Sequence, residues 1–229
     1  MTQRKITDVF FDLDHTLWDF DKNSALTFKR IFTEHRVEVP FNDFIKIYEP
    51  INLNYWKLYR EERIDKPSLR YGRLKDSFDL LNFKVEDELI HILSEDYIKY
   101  LTTFNHLFDG ALEILIYLNT NYKLHIITNG FEEAQYRKIK NSKIDHFFKT
   151  ITNSEMVGVK KPNPIIFNHA LELAQTSPEQ SMMIGDNLEA DILGALNVGL
   201  DVILFNHHKV EVDTSIKKVD TLLQLKNYL

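Results

Sequence analysis

Short apolar runs in this chain are cut off by polar clusters at their carboxyl ends and alternate with stretches of helical periodicity. Ile6-Thr7-Asp8-Val9-Phe10-Phe11 runs into Asp12 and Asp14, Lys123-Leu124-His125-Ile126-Ile127-Thr128 into Asn129-Gly130, and Ser181-Met182-Met183-Ile184 into Gly185-Asp186-Asn187. Phe148-Lys149-Thr150-Ile151-Thr152 and Asp201-Val202-Ile203-Leu204-Phe205 are further runs rich in β-branched and aromatic residues, the composition of strands. Residues 110–121, 131–141, 165–175 and 189–197 read as helices, with Pro164 suited to a first turn and Gly199 to a helix end. Residues 219–228 read as a last helix.

Strands alternating with helices predict a parallel sheet covered on both faces. The expected fold class is α/β, with a Rossmann-like doubly wound parallel-sheet core. Ligands of such sheets bind beyond the carboxyl ends of the strands, so the three polar clusters belong to one rim. The segment 18–106 breaks the alternation. Leu26, Ile31 and Phe32, then Phe44, Ile45 and Tyr48, then Tyr55, Trp56 and Tyr59 recur at helical spacing, with breaks at Pro40, Pro67 and Asn82-Phe83 and a further helix over 87–104. Aromatic residues crowd this segment, as in the core of a small helical domain. The expected organisation is a core of 1–17 and 107–229 with an inserted α-helical cap domain of 18–106. Because the insertion starts just after the first polar cluster, the cap is expected over the rim, with hinges near 16–20 and 104–110.

Composition removes several classes of function. The chain has no cysteine, which excludes disulfides, thiolate metal ligands and cysteine nucleophiles. A net charge of −6 argues against binding a nucleic-acid polymer. No apolar run is long enough for a membrane span, and Met1-Thr2-Gln3-Arg4-Lys5 leads into a strand and not into a signal-peptide core. The expectation is a cytoplasmic protein.

Asp12 and Asp14 sit two residues apart at a strand end and so point to one side of the backbone. Two adjacent carboxylates repel, and one is pushed toward its neutral form unless a cation lies between them. The pair therefore indicates a metal site, an acid/base pair, or both.

Asp12-x-Asp14-x-Thr16, Thr128-Asn129-Gly130, Lys161-Pro162, and Gly185-Asp186-Asn187 with Asp191 occur in an order and at strand ends that resemble the haloacid dehalogenase (HAD) superfamily. The helical insertion is similar to that superfamily's first class of cap. The resemblance implies a phosphomonoesterase in which Asp12 is the nucleophile, forming an aspartyl-phosphate, and Asp14 protonates the leaving alcohol and then activates water. It makes Thr128 a phosphate hydrogen-bond donor, joined by backbone N–H groups near Asn129 and Gly130, and Lys161 the cation that neutralises charge. Lys160 competes for that place, but the superfamily lysine directly precedes the proline. The resemblance implies Mg²⁺, held by the Asp12 side chain, the Asp14 backbone carbonyl and Asp186. Asp191 would orient the ligands or Lys161. Asn187 is either a similar support or a helix N-cap, and His15 shapes the first loop. An acid at position 14 favours ester hydrolysis over dehalogenation, since halide leaves without a proton.

At a finer level, Asp12-Leu13-Asp14-His15-Thr16-Leu17-Trp18-Asp19, Thr128-Asn129-Gly130-Phe131 with Gln135-Tyr136, and Val157-Gly158-Val159-Lys160-Lys161-Pro162 resemble the noncanonical pyrimidine 5′-nucleotidases. That implies a small-molecule phosphate monoester as partner, specifically a pyrimidine nucleoside monophosphate such as dUMP, dTMP or UMP. Trp18, Phe20, Trp56, Tyr59, Tyr71 and Phe131 could line a slot for a base, and Arg70 and Arg73 could meet a polar part of the substrate. Core packing and surface salt bridges are the simpler reading of each. The alternatives are a phosphatase or phosphomutase for a sugar or other small phosphate, a dehalogenase, and a binding protein without turnover. The intact set Asp12, Asp14, Lys161 and Asp186 argues against the last.

Overall fold

The computed structural model describes residues 5–229. The chain divides into two compact units, one formed by the chain up to Phe20 together with Asn105–Leu229 and the other by Asp21–Phe104.

The first unit is built on six parallel strands: β1 (Asp8–Phe11), β2 (Lys123–Thr128), β3 (Phe148–Asn153), β4 (Ser181–Gly185), β5 (Asp201–Phe205) and β6 (Lys218–Val219), in the order β3-β2-β1-β4-β5-β6. The chain builds outward from β1 through β2 to β3, then returns to add β4, β5 and β6 on the other side. The order therefore reverses between β1 and β4, which is where a doubly wound sheet opens a crevice. Phe11 lies opposite both Ile126 and Ile184 in register, so the ends of β2 and β4 come level with Asp12.

Val9, Phe10 and Phe11 are fully buried in β1. Each side chain of this kind contributes about 1.5–3 kcal/mol by burial, which holds a four-residue strand in the centre of the sheet. Helices α5 (Ala111–Leu118), α6 (Glu132–Asn141), α7 (Ser154–Val157), α8 (Pro164–Ala174) and α9 (Gly194–Asn197) belong to this unit. On one face, Ile166, Phe167 and Ala170 of α8 join Phe10, Ile127, Met183 and Leu204 in a single apolar cluster. Pro164 opens α8 in its first turn, and Asn163 caps it by accepting from the Ile165 N–H at 3.0 Å, the expected use of both residue types.

The expected last helix over 219–228 is not formed. Lys218 and Val219 pair with Leu204 and Phe205 as β6, and only a 3-10 turn follows over Leu222–Asn227. The apolar spacing of Leu222 and Leu225 is real, and both are buried, but the edge of β5 takes Val219, the residue at which the expected helix would have begun. The expected helix over 189–197 is also modified: Leu188–Leu193 is a π-helical segment that continues into α9.

The second unit contains α1 (Phe20–Glu34, entering from the first unit), α2 (Phe41–Arg60), α3 (Lys66–Leu80) and α4 (Asp87–Leu101). Pro40 precedes α2 and Pro67 lies in the first turn of α3, where Asp65 accepts from the Ser68 N–H at 2.9 Å. Asn82 adopts φ 52° just beyond α3. The ring of Phe28 meets Phe44, Tyr48 and Tyr97 at centroid distances of 5.0, 4.5 and 4.7 Å, so the aromatics of this segment pack as a core. Arg73 belongs to that core: it donates to Asn52 Oδ1 at 2.8 Å and lies 4.8 Å from the Tyr97 ring. Tyr71 stacks on His91 at 4.9 Å and donates to Asp87 at 2.7 Å. Among the described residues, no helix is long and apolar enough to cross a membrane.

A buried polar chain crosses the sheet away from the rim. His125 Nε2 lies 3.1 Å from Asp8 Oδ1 and its Nδ1 lies 2.8 Å from Thr150 Oγ1, while Thr7 and Thr176 donate to Asp8 Oδ2 at 2.6 and 3.0 Å. Burial lowers the pKa of His125 and outweighs the neighbouring Asp8, which raises it. The unfolded chain therefore binds more protons than the native one below the ordinary histidine pKa of about 6.5. The His125 contribution to stability is full above that pH and is lost as pH falls below it and through the lower pKa of the folded state. Urea unfolding across pH 5–7.5 is expected to show ΔG rising with pH, with a shallower slope in His125→Asn. Equal slopes in the two proteins would remove His125 from the effect.

Candidate active site

The site forms where β1, β2 and β4 end. Asp12 follows β1 directly, and its N–H donates to the Ile184 carbonyl at 2.9 Å, which extends the β1–β4 pairing one residue further. The chain then turns tightly: the N–H groups of Leu17 and Trp18 both donate to the Leu13 carbonyl, and His15 adopts φ 61° with its N–H donating to the Trp18 carbonyl at 3.0 Å. His15 thus has the loop-shaping geometry expected of it, with its ring 5.0 Å from that of Phe20.

Lys161 is the buried lysine of the pair at 160 and 161, with 1% of its surface exposed. Its ammonium donates to Asp12 Oδ1 at 2.5 Å and to the Ile127 carbonyl at 2.7 Å, and lies 2.6 Å from Asp191 Oδ1. These three contacts match the three N–H donors of an ammonium group. Asn129 anchors the loop that carries it, accepting from the Lys161 N–H at 2.7 Å and donating to the Lys161 carbonyl at 2.9 Å. Thr128 Oγ1 accepts from the Gly130 N–H at 3.1 Å, so the Thr128 hydroxyl hydrogen is aimed elsewhere and the Gly130 N–H is used within the loop.

Asp191 sits in the π-helical segment. The Ile192 N–H reaches back five residues to the Asn187 carbonyl at 3.3 Å, the wide turn often found at functional sites. Asp191 Oδ2 accepts from the Asn187 N–H at 3.0 Å, and a Cβ at Gly185 would overlap the Asp191 carboxylate. Only a glycine at the end of β4 admits this acid. Asn187 Oδ1 accepts from the Ala190 N–H at 2.9 Å and so caps the segment. Asp186 points into the cup, where Thr16 Oγ1 donates to its Oδ1 at 3.3 Å and His208 Nε2 lies 3.8 Å from its Oδ2.

Carboxylate oxygens of Asp12, Asp186 and Asp191 all lie within 4.8 Å of one another. Burial pushes the Asp12 carboxyl up to about 7, against the pull of Lys161. Burial, with the charges of Asp191 and Asp12, raises Asp186 well above the usual carboxylate range. Burial acts to lower the Lys161 pKa, but the Asp12 and Asp191 carboxylates outweigh it and the net shift is upward. Three acids thus face one ammonium. With all three ionised, two negative charges are unmatched inside a largely dry cup, and such charges are stable only when paired or bound to metal. The donors are hard oxygens, the set suited to a small divalent cation. Asp191 is already engaged by Lys161 and the Asn187 N–H, which leaves Asp12 and Asp186 as the side chains available to such an ion.

Asp14 does not join this cup through its side chain. Lys138 on α6 donates to both of its oxygens, at 2.6 and 2.8 Å, and Gln135 Nε2 donates to Oδ2 at 2.7 Å. Trp18 and Phe20, considered above for a base slot, instead lie 4.4 and 5.3 Å from the Lys138 ammonium. Lys138 and His208 have no place in the motif reading, and Thr16 and Gln135 stand in it without an assigned role. For Lys138 the sequence signal is its i, i+3 spacing from Gln135 on a helix that starts just beyond a rim strand.

The chain matches the haloacid dehalogenase-like hydrolase family over residues 9–205. It is 33% identical to the pyrimidine 5′-nucleotidase YjjG of Escherichia coli (strain K12), covering 95% of this chain and 93% of that protein. It is 31% identical to a glyceraldehyde 3-phosphate phosphatase of Pyrococcus furiosus, covering 94% and 87%. Its fold superimposes with a TM-score of 0.88 on a magnesium-bound crystal structure of the HAD-hydrolase YfnB from Bacillus subtilis, described as revealing interdomain movement, at 29% identity over 98% of this chain and 99% of that one. With the family matched over residues 9–205 and a relative 33% identical over 95% of this chain, the chain belongs to the haloacid dehalogenase-like hydrolases.

Proposed function

We propose that this protein is a Mg²⁺-dependent phosphomonoesterase acting through an aspartyl-phosphate on Asp12, and that its substrates are pyrimidine nucleoside 5′-monophosphates. The observation that carries the chemistry is the Asp12–Lys161–Asp191 arrangement at the switch point of the sheet. It holds a nucleophilic carboxylate by one oxygen, buried, next to acids that call for a cation.

In this reading Asp12 attacks phosphorus, forming an O–P bond as the bond to the ester oxygen breaks. Asp14, in its acid form, gives its proton to the departing alkoxide. It then takes a proton from the water that attacks phosphorus and releases Asp12 and inorganic phosphate. Thr128, whose hydroxyl accepts from Gly130, has its own hydrogen to offer a phosphoryl oxygen. Lys161, held on three sides, acts through its fixed charge on the nucleophile and on the phosphoryl group beside it. Asp12, the Asp14 carbonyl and Asp186 would hold Mg²⁺, which supplies charge neutralisation for the phosphoryl group when bound. The helical unit, as the inserted cap, would set which alcohol is accepted.

The nucleotide preference is supported by the 33% identity with the Escherichia coli enzyme and by the resemblance of the run from Asp12 to Asp19 to the pyrimidine 5′-nucleotidases. The 31% identity with the Pyrococcus furiosus phosphatase favours a second reading, a small sugar or triose phosphate as substrate. A panel of monophosphates separates them. With Mg²⁺ present, kcat/KM is expected to be highest for dUMP, dTMP or UMP, and chelation of the metal is expected to stop turnover. A clear preference for a triose or hexose phosphate would sink the nucleotidase reading and leave the phosphatase one standing.

A further inference from the structure

We propose that Lys138 and Gln135 form a clamp that positions the Asp14 side chain for proton transfer, and that Gly130 is glycine because the clamp passes over it. The proposal rests on Asp14 being the acid and base of the reaction.

Lys138 is 2% exposed. A buried ammonium is costly unless it is paired, and Lys138 pairs with Asp14, which it grips through both oxygens at 2.6 and 2.8 Å. The faces of Trp18 at 4.4 Å and Phe20 at 5.3 Å also lie against it, a placement that favours a cation over aromatic rings. Gln135 lies one turn earlier on the same face of α6 and adds a third bond to the carboxylate at 2.7 Å, as i, i+3 neighbours can. A Cβ at Gly130 would overlap the Gln135 side-chain amide. The glycine that follows Thr128-Asn129 thus opens the space through which Gln135 reaches Asp14.

The clamp has two consequences for the site. It matches the charge of Asp14 in its ionised form, the form that takes a proton from water, with a cation of its own, so Lys161 is left to Asp12 and Asp191. It also restricts the Asp14 side chain to one orientation, whereas an unheld aspartate at a loop would sample several. Misplacing a reacting group by about 1 Å can cost roughly 10²-fold in rate. Lys138 is therefore a positioning residue, acting through Asp14.

Proton donation matters most when the leaving alcohol is basic. The test compares phenyl phosphate with p-nitrophenyl phosphate, which fit the same space but differ in how much the departing oxygen needs a proton. Lys138→Met is expected to lower kcat on phenyl phosphate by about 10²-fold and on p-nitrophenyl phosphate by much less, with KM little changed. Lys138→Arg should recover part of the loss. Adding Lys138→Met to Asp14→Asn should produce no further loss, because the two act as one unit. Gln135→Leu, which leaves the ion pair in place, should show the same leaving-group pattern more weakly and serves if Lys138→Met does not fold. Equal losses on the two esters, a change in KM alone, or additive losses in the double variant would overturn the clamp while leaving the phosphatase reading intact. A wild-type protein that releases phosphate from neither ester would overturn both.

Discussion

Asp12→Asn is expected to abolish phosphate release while leaving the protein folded. The substitution keeps the shape of the side chain but replaces a charged oxygen with an amide, which cannot displace an alkoxide from phosphorus. Loss of a nucleophile costs on the order of 10⁴-fold or more in turnover when nothing else can take its place. The fold should tolerate the change. Asp12 shares its cup with Asp186 and Asp191, whose oxygens lie within 4.8 Å, and burial already pushes its carboxyl up to about 7. Removing one of three crowded acids relieves repulsion as well as losing the bond to Lys161. Steady-state phosphate release, with circular dichroism to confirm the fold, checks this. A variant that retains more than a small fraction of wild-type turnover would remove Asp12 from the nucleophile's place.

Lys161→Met is expected to act on both stability and rate. Lys161 lies within 2.6 Å of an oxygen on each of Asp12 and Asp191 and donates to the Ile127 carbonyl at 2.7 Å. Methionine fills much of the same volume but leaves three acids without their internal cation. Removing one partner of a buried ion pair costs about 3–5 kcal/mol, so unfolding in chelator should occur at a clearly lower temperature or denaturant concentration. Mg²⁺ should then restore more stability to the variant than it adds to the wild type, because a ligand that binds only the native state stabilises it by mass action and the variant's site is more negative. The rate should fall by about 10²–10³-fold, the scale seen when a fixed electrostatic group is removed. Thermal melts with and without Mg²⁺ read the first effect, and kcat the second. A variant as stable as wild type in chelator would mean that Lys161 does not compensate these acids.

The parts of the site that could be read from the chain are those fixed by strand ends. Asp12, Thr128 and Asp186 each follow a run of buried strand residues, and in a doubly wound sheet such ends must meet. Lys161 could be chosen over Lys160 only through the proline that follows it. What distinguishes it physically, three partners in a buried cup, depends on Ile127 and Asp191, which are distant in sequence. Lys138 was not legible at all. A lysine on an amphipathic helix reads as a solvated charge, and its burial follows from Trp18 and Phe20 folding over α6. Gly130 was legible as a turn residue but for another reason: its missing side chain makes room for Gln135.

The fold shows the same division. The five longer strands were visible as β-branched and aromatic runs, because burial on both faces leaves few other residue types possible. The C-terminal segment was misread because Leu222 and Leu225 have helical spacing and Thr221 with Gln224 forms a genuine capping box. Those local signals were outweighed by the pairing of Lys218 and Val219 with β5, a contact that no local pattern announces. The π-helical segment over Leu188–Leu193 could not be foreseen either. Its spacing differs from an ordinary helix by one residue, and that residue is what brings Asp191 under Gly185 and onto Lys161.

The covalent step on Asp12 is the centre of the proposed chemistry, and it can be observed directly. Mixing the protein with Mg²⁺ and a ³²P-labelled nucleoside monophosphate, quenching in acid within the first turnover, and mapping the peptides by mass spectrometry looks for the aspartyl-phosphate itself. The expected result is one phosphate on the peptide containing Asp12, released by hydroxylamine and absent in Asp12→Asn. Turnover with no label on the protein, or with label on another residue, would contradict it.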